Sequence, residues 1–250
     1  GASVSTGTEN VLIGGLTGDA LTTGLENTAI GHQALSAAQT SHGNVAIGHQ
    51  SLALQSADGY TFNTAVGYNA GQQITTGSQN TIIGSSAGDA LTTGDKNVAI
   101  GYAALTTEDT GGRNVAIGWG ALASQNYDGS AYNTAIGYRA GHDIGTGTLN
   151  TIIGGLAGDS ITDGTVNTII GYHAGRSLTS GSANVAIGYL ALNSEDGHGR
   201  NIAIGQQALE DLNAGTDANN VAIGYDCGKQ MTSGVQCVLI GNQAGDALTT

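Results

Sequence analysis

Asn97-Val98-Ala99-Ile100-Gly101 is the stretch that decides the fold, because its pattern returns along the whole chain. The segment opens with an Asn at Asn10, Asn27, Asn44, Asn63, Asn80, Asn97, Asn114, Asn133, Asn150, Asn167, Asn184, Asn201 and Asn220, and Cys237 takes the fourteenth place. With that residue as position 0, successive openings lie 17 residues apart, or 19 at Asn44 to Asn63, Asn114 to Asn133 and Asn201 to Asn220. Position +4 is Gly in all fourteen coils, +3 is always Ile or Val, and +2 is always Ala, Ile or Leu. Position +7 is Ala in eleven coils, with Thr17, Ser51 and Cys227 in the other three.

Self-similarity at a fixed short period marks a repeat architecture. A β-branched residue on either side of a small or aliphatic one, followed by Gly, reads as a strand that ends where the chain turns through positive φ. Two or three such segments per coil are expected to wind a parallel β-solenoid, each strand pairing with its copy one coil away. At ~4.8 Å per coil the array makes a rod of roughly 65 Å. The expected class is all-β, a single continuous array over residues 1–250. Helices fit poorly, since each recurring Gly costs about 1 kcal/mol inside one.

The coils are of two kinds. Position +8 is Gly at Gly18, Gly71, Gly88, Gly141, Gly158, Gly175, Gly228 and Gly245, and Leu at Leu35, Leu52, Leu105, Leu122, Leu192 and Leu209. Every Gly-type coil has a large +11 residue, from Leu21 and Ile74 to Met231 and Leu248. In Leu-type coils +11 is small or polar, as at Ala38, Gln55, Glu108, Gln125 and Glu195, with Leu212 breaking the rule. Close packing explains the exchange: one bulky side chain fills each layer, from either position. Leu-type coils come in pairs, the second always 19 residues long, which gives a 70-residue superrepeat between Asn44 and Asn114. The two extra residues are expected to push Tyr60 and Phe62, or Tyr127 and Tyr132, into a protruding loop. Both ends read as ordinary coil without capping sequence, so a window on a longer fibre is expected.

Composition narrows function. The chain has 43 Gly, no Pro, 10% charged residues and a net charge of −13, with 6 Lys and Arg against 19 Asp and Glu. Nucleic acid and anionic membrane surfaces are therefore not expected partners. No apolar run reaches membrane-spanning length and no export leader is recognisable. Cys227 and Cys237 lie ten residues apart, without zinc or redox spacing, and read as small substitutions in interior columns.

Among polar columns, the Asn residues are expected to form a stacked amide ladder, each contributing roughly 0.5–1.5 kcal/mol. No Asn carries the glycosylation offset. Position +5 holds seven of the aromatics, Tyr68, Tyr102, Trp119, Tyr138, Tyr172, Tyr189 and Tyr225, with His32 and His49 in the same column. Such a row either stacks on carbohydrate or covers the turn after Gly +4. His32 and His49 have no third ligand at their spacing, so no metal site is expected there. Asp19, Asp89, Asp159 and Asp246 recur at one coil position but lack the multi-Asp loop of calcium-binding rolls, and read as solvated turn acids. No catalytic Ser elbow occurs, and Gly228-Lys229-Gln230 lacks the rest of a phosphate loop. Neither an enzyme nor a cofactor is expected.

Segments such as Asn133-Thr134-Ala135-Ile136-Gly137-Tyr138-Arg139-Ala140-Gly141 and Asn44-Val45-Ala46-Ile47-Gly48-His49-Gln50-Ser51-Leu52 resemble the YadA-like head repeats of trimeric autotransporter adhesins. They are equally similar to repeats of phage and bacterial tail-fibre proteins. The resemblance implies a left-handed parallel β-roll, usually trimeric, that serves adhesion or receptor reach at a cell surface or virion. A host glycan or protein receptor is then a candidate partner. Independently, each strand carries Val or Thr with Ile on one face and Asn, Ala and Gly on the other, which suggests burial of both faces, one of them against a second chain. The expected role is a non-enzymatic, extracellular fibre shaft. A self-assembling filament is the next expectation. An ice-binding solenoid is the third, prompted by Thr28, Thr64, Thr81, Thr134, Thr151 and Thr168 at +1.

Overall fold

The computed structural model describes residues 3–250. It is an all-β parallel solenoid: fourteen three-residue rungs, one per coil, and no helix among the described residues. Among the described residues, no helix is therefore long and apolar enough to cross a membrane.

The chain divides into two compact units, Gly1–Ala131 and Tyr132–Thr250. In the first, seven rungs run from Val11–Ile13 to Val115–Ile117, each paired in parallel with the next. In the second, seven more run from Thr134–Ile136 to Val238–Ile240 in the same way. The 19-residue coils do not shift the register: Val45 pairs with Thr64 and Ile202 with Val221, like with like. Their extra residues stand out as loops, where Tyr60 is 51% and Phe62 53% exposed. In the first unit these loops pair with the 17-residue coil before them, Gly59–Tyr60 against Ser41–His42 and, as a single bridge, Ser130 against Gly112.

One strand per coil, three residues long, replaces the expected two or three. The rest of each coil is turn, and its geometry explains why. Positions −1, +6 and +8 all take the left-handed conformation, whatever residue stands there: Lys96 (φ 60°), Leu149 (φ 61°), Val166 (φ 61°) and Ala103 (φ 52°) among them. Such a conformation costs a non-Gly residue roughly 1–2 kcal/mol. It persists because it keeps the backbone ladder running through the corners. The N–H of Lys96 donates to the Ser78 carbonyl of the preceding coil at 3.0 Å, and that of Val166 to Thr148 at 3.0 Å. At the other corner three successive N–H groups, of Gly145, Thr146 and Gly147, converge on the Thr162 carbonyl at 2.8, 3.2 and 3.2 Å.

Within a rung, +2 points inward and is buried, as at Ala99, Ile82 and Ile152, while +1 and +3 lie on the outer face, half-buried at Val98 and Ile100 and exposed at Ile83. Position +7 joins the interior. Where Thr or Ser replaces Ala there, the hydroxyl finds a carbonyl of the next coil, Ser51 Oγ donating to Ala65 at 2.9 Å.

The exchange between +8 and +11 has a steric basis. Leu105 and Leu122 in one coil type, and Leu91 and Ile161 in the other, are all fully buried. A Cβ on Gly88 would lie 2.9 Å from Leu91 Cδ1 and 3.1 Å from Ile82 Cδ1, so the two bulky side chains compete for space in this 17-residue coil, whereas the 19-residue coil opened by Asn201 buries both Leu209 and Leu212. Position +8 already has the same backbone in both types, φ 49° at Gly88 and 53° at Leu105. Gly88→Leu alone is therefore expected to destabilise by about 1–3 kcal/mol through overpacking. Leu91→Ala alone should cost about 2–4 kcal/mol through the cavity. The double variant should recover at least about 1 kcal/mol of the summed loss, measured as urea midpoints; additive losses would refute the shared-space account.

Candidate functional site

The Asn column forms a clamp between coils. Asn150 Oδ1 accepts the backbone N–H of Asn167 at 3.0 Å, and its Nδ2 donates to the Gly164 carbonyl at 2.8 Å. Asn27, Asn44, Asn63, Asn80, Asn97, Asn133, Asn167, Asn184, Asn201 and Asn220 accept the next N–H in the same way, and Asn114 donates its own N–H to Asn97. Asn63, Asn80, Asn97, Asn133, Asn167 and Asn220 also bind a Gly carbonyl fourteen residues on, at 2.7–2.9 Å. The 19-residue coil displaces that carbonyl: Asn44 Nδ2 turns to His42 O at 3.2 Å, and Asn201 Nδ2 is buried without a partner. Cys237 at position 0 is half-buried and its thiol reaches only Val235 O, at 3.5 Å.

The +5 column lies on the surface beside the rungs. Tyr68, Tyr102, Trp119, Tyr138, Tyr172, Tyr189 and Tyr225 are each 44–54% exposed. Their rings stack along the column: His32 on His49 at 5.3 Å, His49 on Tyr68 at 5.1 Å, Tyr102 on Trp119 at 6.0 Å and Tyr172 on Tyr189 at 6.1 Å. His173 covers Tyr172 further, at 4.1 Å. Ring faces at these pairs are taken by their neighbours, leaving edges and hydroxyls to solvent. Ser85 at the rung between Tyr68 and Tyr102, and Gly155 between Tyr138 and Tyr172, interrupt the column with small residues.

Of the recurrent turn acids, Asp19 is exposed and Asp89 and Asp246 are half-buried, but Asp159 is buried. The difference lies in Arg139, whose Nε and Nη2 reach the two Asp159 carboxylate oxygens at 3.0 and 3.3 Å, a paired arrangement that makes burial tolerable. Elsewhere in the first unit, Thr93, Asp95, Lys96, Thr110, Arg113 and Ser130 line a groove of about 150 Å³. It brings together two of the six basic residues, a grouping that no spacing rule picks out.

Glu108 was legible only as a polar residue at +11. It lies fully buried inside its coil, Oε1 accepting from Gly111 N–H at 2.8 Å and Oε2 from Tyr127 N–H at 3.3 Å. Burial pushes its carboxyl up to about 7, against the opposing pull of those two N–H donors, and the nearby Asp109 charge adds to the rise. The folded value exceeds the ordinary one near 4.5, so the folded chain holds the proton more tightly than the unfolded chain. This contribution to stability is complete below the ordinary value and is lost as pH rises through about 7. The span is worth about 3 kcal/mol. Thermal melts at pH 5.5 and 8.5 should therefore differ more in the wild-type chain than in Glu108→Gln; an identical difference would refute the burial account.

Comparison with protein-family models, with curated proteins and with solved structures finds no match to this chain.

Proposed function

We propose that the chain is a non-enzymatic fibre shaft, acting outside the cell on a cell surface or virion, that associates with further copies of itself and holds a binding element away from its anchor. The observation that carries this reading is the outer face of the rungs. A β-branched residue stands at +1 and Ile or Val at +3 on every rung, for example Val98 and Ile100 beside Val115 and Ile117, forming a stripe that is half-buried on most rungs and exposed at others such as Ile83 and Ile223. A flat, largely uncharged stripe of this kind gains most when a second chain covers it, at roughly 25 cal/mol per Å² of apolar surface. Resemblance to adhesin and tail-fibre repeats favours three chains. The stacked +5 rings beside the stripe add a polar-edged aromatic margin, suited to lining an interface or meeting a receptor.

Light scattering at micromolar concentration tests the reading. A mass of three chains is expected, and Ile100→Lys with Ile136→Lys should reduce it to one. A strictly monomeric wild-type particle would sink the self-associating shaft, and open-ended growth of mass with concentration would indicate a filament instead. For the aromatic column, a glycan array compares the wild type with a Tyr102, Trp119, Tyr138 triple alanine variant; unchanged binding would end a glycan role for those rings.

A further inference from the structure

We propose that Glu195, Asp196 and His198 form a binding site for one divalent transition-metal ion, zinc fitting best. Glu195 stands at +11 of a Leu-type coil, with its side chain fully buried. Its Oε1 lies 3.2 Å from His198 Nδ1, which lies 3.6 Å from Asp196 Oδ1, and one ligand atom from each residue falls within 4.8 Å of the others. Tetrahedral zinc with bonds of about 2.0–2.1 Å separates its ligands by about 3.3–3.4 Å. The two spacings bracket that value. A set of one imidazole nitrogen and two carboxylates suits zinc and its neighbours, whereas calcium and magnesium take oxygen alone.

A second feature singles the cluster out from a simple ion pair. Glu195 Oε2 is buried with no hydrogen-bond partner, a costly arrangement for a carboxylate oxygen that a metal ion would relieve. The chain also contains its own comparison. Glu108 occupies the equivalent place, followed likewise by Asp109, but Gly111 stands where the other coil has His198. There the N–H groups of Gly111 and Tyr127 satisfy the two carboxylate oxygens; the equivalent N–H groups of His198 and Ala214 also pull on the Glu195 carboxylate, yet its Oε2 keeps no hydrogen bond of normal geometry. The imidazole and the orphan oxygen occur together at one of the two sites. Asp196 Oδ1 also accepts the N–H of Gly197, which holds that carboxylate at the cluster. His198 is 29% exposed in its side chain, so an ion has access from the surface.

Isothermal titration of chelator-treated full chain with zinc chloride tests this, with calcium and magnesium chloride in parallel. One zinc per chain is expected, and no binding of calcium or magnesium in the same range. His198→Ala should weaken zinc at least tenfold, and Glu195→Gln likewise, while His49→Ala in the stacked pair should leave it unchanged. Cobalt(II) should give the intense visible bands of a four-coordinate site in the wild type, lost in His198→Ala. His198 is partly exposed, so that variant remains folded and keeps the experiment decisive if Glu195→Gln does not fold. Absence of zinc binding, binding that survives His198→Ala, or binding abolished by His49→Ala would each overturn the proposal.

Discussion

Gly154→Ala is expected to disrupt the solenoid locally, as would a methyl group at the equivalent Gly188, Gly205 or Gly224. At φ 134° the residue sits in backbone territory that L side chains rarely occupy. A Cβ there would also approach the Gly171 carbonyl oxygen of the next coil to 2.5 Å. That oxygen belongs to the backbone and cannot swing aside. The rungs Thr151–Ile153 and Thr168–Ile170 must separate to admit it, breaking the ladder bonds on both sides. Strain of about 1–3 kcal/mol for the conformation adds to the lost ladder bonds, each worth about 1 kcal/mol, for a total of about 4 kcal/mol or more. Gly215→Ala is the control: its φ is 68°, and nothing lies within 4 Å of an added Cβ. It should cost only about 1–2 kcal/mol. Urea midpoints for the two variants check the ranking; equal losses would show that conformation alone, and not the approach of the next coil, makes Gly +4 obligatory.

Asn150→Ala should also be strongly damaging, by a different route. It leaves the Asn167 N–H and the Gly164 carbonyl buried without partners, since Asn150 supplies one group to each. Two orphaned backbone groups at about 1–3 kcal/mol apiece put the loss near 2–5 kcal/mol. Because each coil of a solenoid touches its neighbours alone, the damage should be local. Amide hydrogen exchange is expected to accelerate at Thr151, Gly164 and Asn167, and to stay slow at Ile202 and Ile204. Asn150→Asp separates the two halves of the clamp. The carboxylate still accepts from Asn167 but cannot donate to Gly164, and it buries a charge, so it should be no better than Ala near neutral pH. Uniform acceleration of exchange along the second unit would contradict a nearest-neighbour clamp.

What the sequence revealed and what it concealed follow from how tightly each position is constrained. Gly154 and its equivalents could be read because one residue type alone fits the space. The exchange of Leu105 for Leu91 could be read because two bulky side chains compete for one layer. The left-handed corners left no such trace. Gln79, Leu149 and Val166 share position −1 and the same φ near 60°, yet share no chemistry, because the ladder bonds and not the side chains hold them there. That also hid the division of each coil into one short strand and two turns. Glu108 and Glu195 were visible as acids at +11, but their full burial was not, because an acid at that position reads as a solvated residue until the coil closes over it.

The preserved register across those longer coils has a consequence for variation. Val45 meets Thr64, and Ile202 meets Val221, although two additional residues intervene, and Gly59 and Gly215 at the loop tips have no heavy atom within 4 Å of an added Cβ. Lengthening such a tip costs only about 0.6 kcal/mol for each doubling of loop length. Peptides or whole small modules grafted at Gly59 or Gly215 would thus be carried outward while the stack behind them kept its pairing. A lineage of such chains has places to change its outward appearance freely, decoupled from the constraint that keeps the rungs and the +4 glycines fixed.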